Sequence, residues 1–213
     1  NNFQKEFIKS YKKDNQIEIL SNPIRHVKIN TNQYNPSSNF VVYAGAITKE
    51  KGVDKLLETW RGLNISNLTL KIIGTGSMEE ELKEKYKENN LNFFGFLDNK
   101  KTLDHIRKAR AVVTATRMLE GQPRLLCEAT SFGVPSIYPF FGGMNEYFPE
   151  DYQFSFKQYD YKDFGNKLLL LDNEQKLSEH SHELLHFFSS FLSGTKSVQY
   201  ACTFPLPTRP LIW

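Results

Sequence analysis

Phe3, Phe7 and Tyr11 recur at every fourth position in an otherwise charged stretch. That spacing predicts an amphipathic helix over residues 3–14. A short apolar strand is expected at 17–20, ended by Asn22-Pro23, and an Asn- and Ser-rich run at 30–39 reads as a linker. From Phe40 the pattern alternates. Continuous apolar runs at 40–44, 68–73, 91–94, 111–114 and 134–138 predict strands buried on both faces, and 152–156 predicts a sixth. Helical spacing falls between them at 53–63, 78–88, 101–110 and 122–132, and after them at 160–171 and 174–191. Strands alternating with helices imply an α/β fold, a doubly wound, Rossmann-like parallel sheet. Ligands in such sheets bind beyond the carboxyl ends of the strands. That rule selects the loops 45–52, 74–77, 94–99, 116–124 and 139–145.

Composition narrows the classes. The 213 residues suffice for one α/β domain with some appended structure. A net charge of +3 is too small to point to nucleic acid, and suits a small anionic ligand or an acidic membrane surface. No run of about 18 apolar residues is present, so no spanning helix is expected. Cys127 and Cys202 form no metal-binding spacing, and Cys127 in an apolar helical run reads as a buried free thiol of a reducing compartment. His105, His180, His182 and His186 read as surface or helix-packing residues; His182 and His186 are one helical turn apart but lack an evident third metal ligand. His26 is a weaker candidate for a cleft. The run from Ser193 to Trp213 has no periodicity and three prolines, and is expected to be disordered or foreign to the domain.

The segment with the clearest chemistry is Glu120-Gly121-Gln122-Pro123-Arg124. Pro123 suits a first helical turn, where its missing N–H costs nothing. The amides of Gln122, Arg124 and Leu125 would then face an anion at the helix start. Arg124 is disfavoured there by the macrodipole, a cost that a bound anion reverses. Glu120 precedes the helix and Glu128 lies in its second turn, so the two carboxylates flank its start. Their spacing is not distinctive, since Glu50/Glu58 and Glu80/Glu88 share it on charged segments. The apolar context of Leu125, Leu126 and Ala129 singles out the Glu120/Glu128 pair: a charge there needs a partner or a ligand.

Five stretches carry a family resemblance. They are Tyr43-Ala44-Gly45 with Lys51-Gly52-Val53-Asp54; Ile72-Ile73-Gly74-Thr75-Gly76; Phe94-Gly95-Phe96-Leu97; Glu120 to Ala129; and Phe132-Gly133-Val134-Pro135. In that order and spacing the chain resembles the C-terminal, donor-binding domain of GT-B glycosyltransferases of family 4, the glycosyl transferases group 1. The resemblance implies a retaining transferase that moves a sugar from a nucleoside diphosphate sugar to an acceptor hydroxyl without a metal cofactor. It implies catalytic roles for Lys51, which would neutralise the diphosphate, and Glu120, which would contact the transferred sugar. Gly45, Gly74 and Gly76 would line the donor cleft, Phe96 and Leu97 would meet the nucleobase, Gln122, Arg124 and Leu125 would bind sugar or phosphate, and Glu128 would hold the ribose.

The resemblance divides the chain into an interdomain helix, strand and linker over 1–38, a nucleotide-sugar-binding domain over 39–191 and an irregular tail over 192–213. It further implies that an N-terminal acceptor domain is missing. One departure stands out: where the family usually carries an Arg after the first loop's Gly, this chain has Ala46, which leaves Lys49 and Arg124 as substitutes. A solvated turn is the plainer role for Lys49. Gly142-Gly143 reads either as a flexible turn or as a loop closing over the donor sugar. Composition rich in Asn, Lys, Ile and Phe suggests an AT-rich bacterial genome and synthesis of a surface polysaccharide or glycolipid, in the cytoplasm or peripherally at the inner face of the plasma membrane. A non-catalytic nucleotide or sugar-phosphate binding module is the competing reading, which Ala46 favours. A dehydrogenase is disfavoured, because Gly74-Thr75-Gly76 lacks the third Gly of a dinucleotide fingerprint.

Overall fold

The computed structural model describes residues 2–9, 34–63 and 65–194. Six parallel strands form one sheet: β1 (Phe40–Ala44), β2 (Thr69–Ile73), β3 (Leu91–Gly95), β4 (Ala111–Val113), β5 (Ser136–Phe140) and β6 (Ser155–Lys157), in the order β3-β2-β1-β4-β5-β6. This is the doubly wound order in which the direction of winding reverses between β1 and β4. The helices are α1 (Asn2–Lys9), α2 (Val53–Gly62), α3 (Glu79–Lys85), α4 (Asn99–Lys108), α5 (Arg124–Ser131), α6 (Tyr161–Leu169) and α7 (Glu174–Gly194). α2 packs on α6, whereas α5 packs on α4 and α7. Right-handed crossovers before and after the reversal place these two groups on opposite faces.

Strand burial explains the apolar runs. Val41, Val42 and Tyr43 of β1, Leu70 and Ile72 of β2, and all of β4 are closed to solvent. α2 turns Val53, Leu56, Leu57 and Trp60 inward, at helical spacing. Around β5 the core is aromatic: Tyr138 stacks on Phe148 at 4.4 Å, and Phe148 lies 4.6 Å from Tyr152. His180 of α7 is buried edge-on against Tyr152 and Phe154, while His182 and His186 are exposed.

Several boundaries differ from the sequence expectation for identifiable reasons. α5 begins at Arg124, two residues later than expected, because Pro123 adopts an extended conformation (φ −70°, ψ 121°) and acts as the N-cap. β5 starts at Ser136 because the N–H of Val134 caps the end of α5, bonding Ala129 O at 2.9 Å after the left-handed Gly133 (φ 68°). β6 starts late because Tyr152 is spent on the turn before it; its hydroxyl accepts the N–H of Ser136 at 2.7 Å. α4 starts early because Asp98 accepts the N–H of Lys101 at 2.9 Å. α7 continues through Gly194, into the stretch expected to be irregular from 192. A short 3-10 turn at Met144–Tyr147 carried no sequence signal. The expected strand at 17–20, His26, Cys202 and residues 195–213 of the tail lie outside the described residues.

Candidate donor-binding site

The loops that leave β1, β2 and β3 are laddered to one another. Gly45 N–H bonds Ile73 O at 2.9 Å, Ile47 N–H bonds Thr75 O at 2.9 Å, and Gly74 N–H bonds Gly95 O at 2.8 Å. Gly74 has φ 135°, and a Cβ there would stand 2.0 Å from Gly45 O. A Cβ on Gly76 would meet Ile47 O at 2.3 Å. Gly74 and Gly76, expected to face a ligand, are thus required for loop to pack on loop, whereas a Cβ on Gly45 would meet only the Tyr43 side chain, its hydroxyl at 3.1 Å. Beyond them Phe96 projects with 79% of its surface exposed, and Leu97 is half-buried against the core.

At the point where the winding reverses, the loops after β1 and β4 meet. Lys51 Nζ lies 2.5 Å from Glu120 Oε1, with 30% and 20% of the side chains exposed. Lys51 rides on a tight turn closed by Gly52 N–H to Lys49 O (3.1 Å). Gly52 is left-handed (φ 68°), and a Cβ on it would stand 1.9 Å from Ala115 O, so the two loops are in backbone contact. The carbonyl of Glu120 accepts the N–H of Gly143 at 2.9 Å. The Gly142-Gly143 turn therefore buttresses Glu120 rather than hanging free. Tyr43 is buried beneath the site and donates its hydroxyl to Ala46 O at 2.7 Å. Burial, with the Glu120 charge as a smaller cause, pushes the Tyr43 phenol far above its ordinary range, so it stays neutral.

At the start of α5, the first intrahelical bond runs from Cys127 N–H to Pro123 O, at 3.2 Å. The amides with no acceptor inside the helix are those of Arg124, Leu125 and Leu126. Gln122, expected among them, precedes the cap; its side chain instead hydrogen-bonds the Cys127 thiol. Burial pushes that thiol up to about 12, so it is inert. Arg124 is 72% exposed and its Nη2 contacts both Glu128 Oε1 (3.3 Å) and Asn99 Oδ1 (3.2 Å). Each carboxylate thus has its own cation, Lys51 for Glu120 and Arg124 for Glu128. Lys49 is exposed, and its carbonyl is what the fold uses.

Two residues escaped the sequence reading. Arg117 and Asp54 form an ion pair at 2.9 Å that joins the loop after β4 to the first turn of α2. The available signal was indirect: Asp54 closes the Lys51-Gly52-Val53-Asp54 motif, and Arg117 stands three residues before Glu120. Among the described residues no group of three or more His, Cys, Asp or Glu side chains is placed to hold a metal ion, and no helix is long and apolar enough to cross a membrane.

A model of the family described as glycosyl transferases group 1 matches residues 25–183. The chain belongs to this family. It is 29% identical over 100 residues, 46% of its length, to the amylovoran biosynthesis glycosyltransferase AmsD of Erwinia amylovora, and 26% identical over 191 residues, 87% of its length, to an uncharacterized glycosyltransferase of Methanocaldococcus jannaschii. It spans only 28% and 52% of those proteins. In structure it is similar to S. aureus TarM, solved with UDP (TM-score 0.73, 18% identity, 91% of this chain and 41% of that one). It is also similar to the pneumococcal O-GlcNAc transferase GtfA, solved with UDP and GlcNAc (TM-score 0.70, 21% identity, 90% and 40%). At those identities the likeness establishes the fold of the group 1 domain, a Rossmann-like parallel sheet.

Proposed function

We propose that this chain is the donor-binding half of a retaining glycosyltransferase, which passes a sugar from a nucleoside diphosphate sugar to an acceptor hydroxyl. The observation that carries the reading is the Lys51–Glu120 pair. A cation and a carboxylate, brought by the loops after β1 and β4, meet at the reversal of winding where such sheets bind nucleotides. During transfer, negative charge develops on the departing diphosphate. Lys51 and the free amides of Arg124 and Leu125 stand ready to receive it, with no metal needed. Glu120, released from Lys51, would accept hydrogen bonds from the sugar hydroxyls. Glu128, oriented by Arg124, would hold the ribose. Gln122 would contribute through its backbone, Gly45, Gly74 and Gly76 would form the cleft wall, and Phe96 with Leu97 would meet the base. UDP in two of the structural neighbours and the part of AmsD in amylovoran biosynthesis support a nucleotide donor and a bacterial surface polysaccharide or glycolipid product. The acceptor domain would be supplied by sequence outside this chain, with the whole enzyme cytoplasmic and peripheral at the membrane.

Calorimetry with UDP-, GDP- and ADP-sugars tests the reading. One of them is expected to bind, and Lys51→Ala to weaken it by about 1.5–3 kcal/mol, the worth of a charge-assisted hydrogen bond. Binding unchanged by Lys51→Ala and Glu120→Ala would overturn it. Ala46 supports a second reading, a binding module without turnover, since it leaves the first loop with one cation fewer than the resemblance leads one to expect. Sugar transfer by the full-length protein, lost in the same variants, would exclude that module.

A further inference from the structure

Lys51 is a long side chain on a loop with few bonds of its own. Besides the Gly52 turn, the local support is a 3.4 Å contact from Lys51 N–H to Thr48 Oγ1. The first half of the loop is laddered to its neighbours, whereas around Lys51 the backbone is held from outside by Arg117. The N–H of Arg117 donates to Glu50 O at 2.8 Å. Its Nη1 donates to Lys49 O at 2.5 Å, and its Nη2 to Asp54 Oδ2 at 2.9 Å. Arg117 therefore grips the chain at 49 and 50, just before Lys51, and at 54, just after it. Three residues further along its own loop stands Glu120.

We propose that Arg117 is a positioning residue that sets the Lys51 ammonium against Glu120, and so toward the diphosphate of the donor. A planar fork suits this task. Its nitrogens point at a carbonyl and a carboxylate in fixed directions, whereas a lysine offers one mobile point charge. The side chain is 21% exposed, so this grip is sheltered from water. Asp54 gains a reason from the same geometry: it anchors Nη2 and fixes the plane of the fork. As regards the ligand, the inference rests on the donor-site reading above; as regards Lys51, it rests on the contacts alone.

The test uses this chain with UDP, GDP and ADP as probes. Arg117→Ala is expected to weaken the nucleotide that binds by about three- to tenfold, the cost of ordering a long side chain at binding instead of beforehand. Arg117→Lys, which keeps the charge and loses the fork, is expected to behave alike. In a Lys51→Ala background, Arg117→Ala should change nothing, because Arg117 acts only through Lys51. Losses that add in the double variant, or full affinity in Arg117→Ala alone, would overturn the proposal. A second measurement needs no nucleotide: acylation of Lys51 by acetic anhydride, read on its peptide by mass spectrometry. It should be faster in Arg117→Ala at an unchanged melting temperature, and an unchanged rate would overturn the proposal. Should no nucleotide bind the unaltered chain, the donor-site reading falls, and the acylation rate still decides for or against Arg117.

Discussion

Lys51 and Glu120 are 69 residues apart in the chain and form an ion pair at 2.5 Å, each partly sheltered from water. An incoming diphosphate must take Lys51 from Glu120 or share it. Glu120→Gln is therefore expected to tighten binding of a nucleoside diphosphate alone by up to about fivefold, the worth of a partly exposed ion pair. The same change should abolish any extra affinity of the sugar-linked donor. Calorimetry with the diphosphate and its sugar ester on one variant checks both arms; equal weakening of both would make Glu120 a structural residue instead.

Ala46 offers a gain of function. Its carbonyl already receives the Tyr43 hydroxyl at 2.7 Å, so the loop should keep its path when the side chain changes. Ala46→Arg would bring a second cation to the first loop. Diphosphate affinity is expected to rise about tenfold at low salt, and by less in 0.5 M salt, where the Debye length is only a few ångströms. Titration at two ionic strengths measures the gain and its electrostatic share.

At the opposite end of the sheet, Arg110 supports the fold. It is 7% exposed and donates to Ser38 O (2.6 Å), Leu171 O (2.8 Å) and Glu174 Oε1 (3.3 Å), while its own carbonyl accepts the Tyr34 hydroxyl at 2.7 Å. It ties the chain entering β1 to the start of α7. Arg110→Ala leaves two carbonyls without this donor and is expected to cost about 2–4 kcal/mol. Urea unfolding should show a lower midpoint at unchanged slope.

His105 makes stability depend on pH. Its ring lies 5.1 Å from Phe94 and 6.5 Å from Phe40, and Lys71 Nζ sits 3.4 Å above the Phe40 ring. Burial first, then the Lys71 charge, holds its pKa below the ordinary imidazole value; Lys108 adds to this and Asp104 opposes it. The unfolded chain takes up a proton at about pH 6.5 while the folded chain resists it, so stability is lost as pH falls from there through the folded value. Melting temperatures at pH 7.5 and 5.5 should differ more in the unaltered chain than in His105→Gln.

Much of the fold was legible because a strand buried on both faces must be apolar throughout, and such runs at 40–44 and 111–114 leave little choice. Boundaries were read less well, because they depend on which partner takes a single N–H. Val134 was expected in a strand by its apolar neighbours, yet its amide belongs to the end of α5. Pro123 was expected inside a helix, yet its extended ψ makes it the cap.

The sequence by itself determined that loops bearing Lys51 and Glu120, and the helix bearing Glu128, follow buried strands, since alternation and loop composition are properties of neighbours along the chain. Only the tertiary structure decided their pairing. Lys51 meets Glu120 because β1 and β4 are adjacent in the sheet although 66 residues, 45–110, lie between them in the chain. Arg124 turns to Glu128 and Asn99, and Arg117 reaches back to Lys49, Glu50 and Asp54. An ion pair or a hydrogen bond is set by distance in space, and a parallel crossover brings together residues whose separation in the sequence leaves no periodic trace.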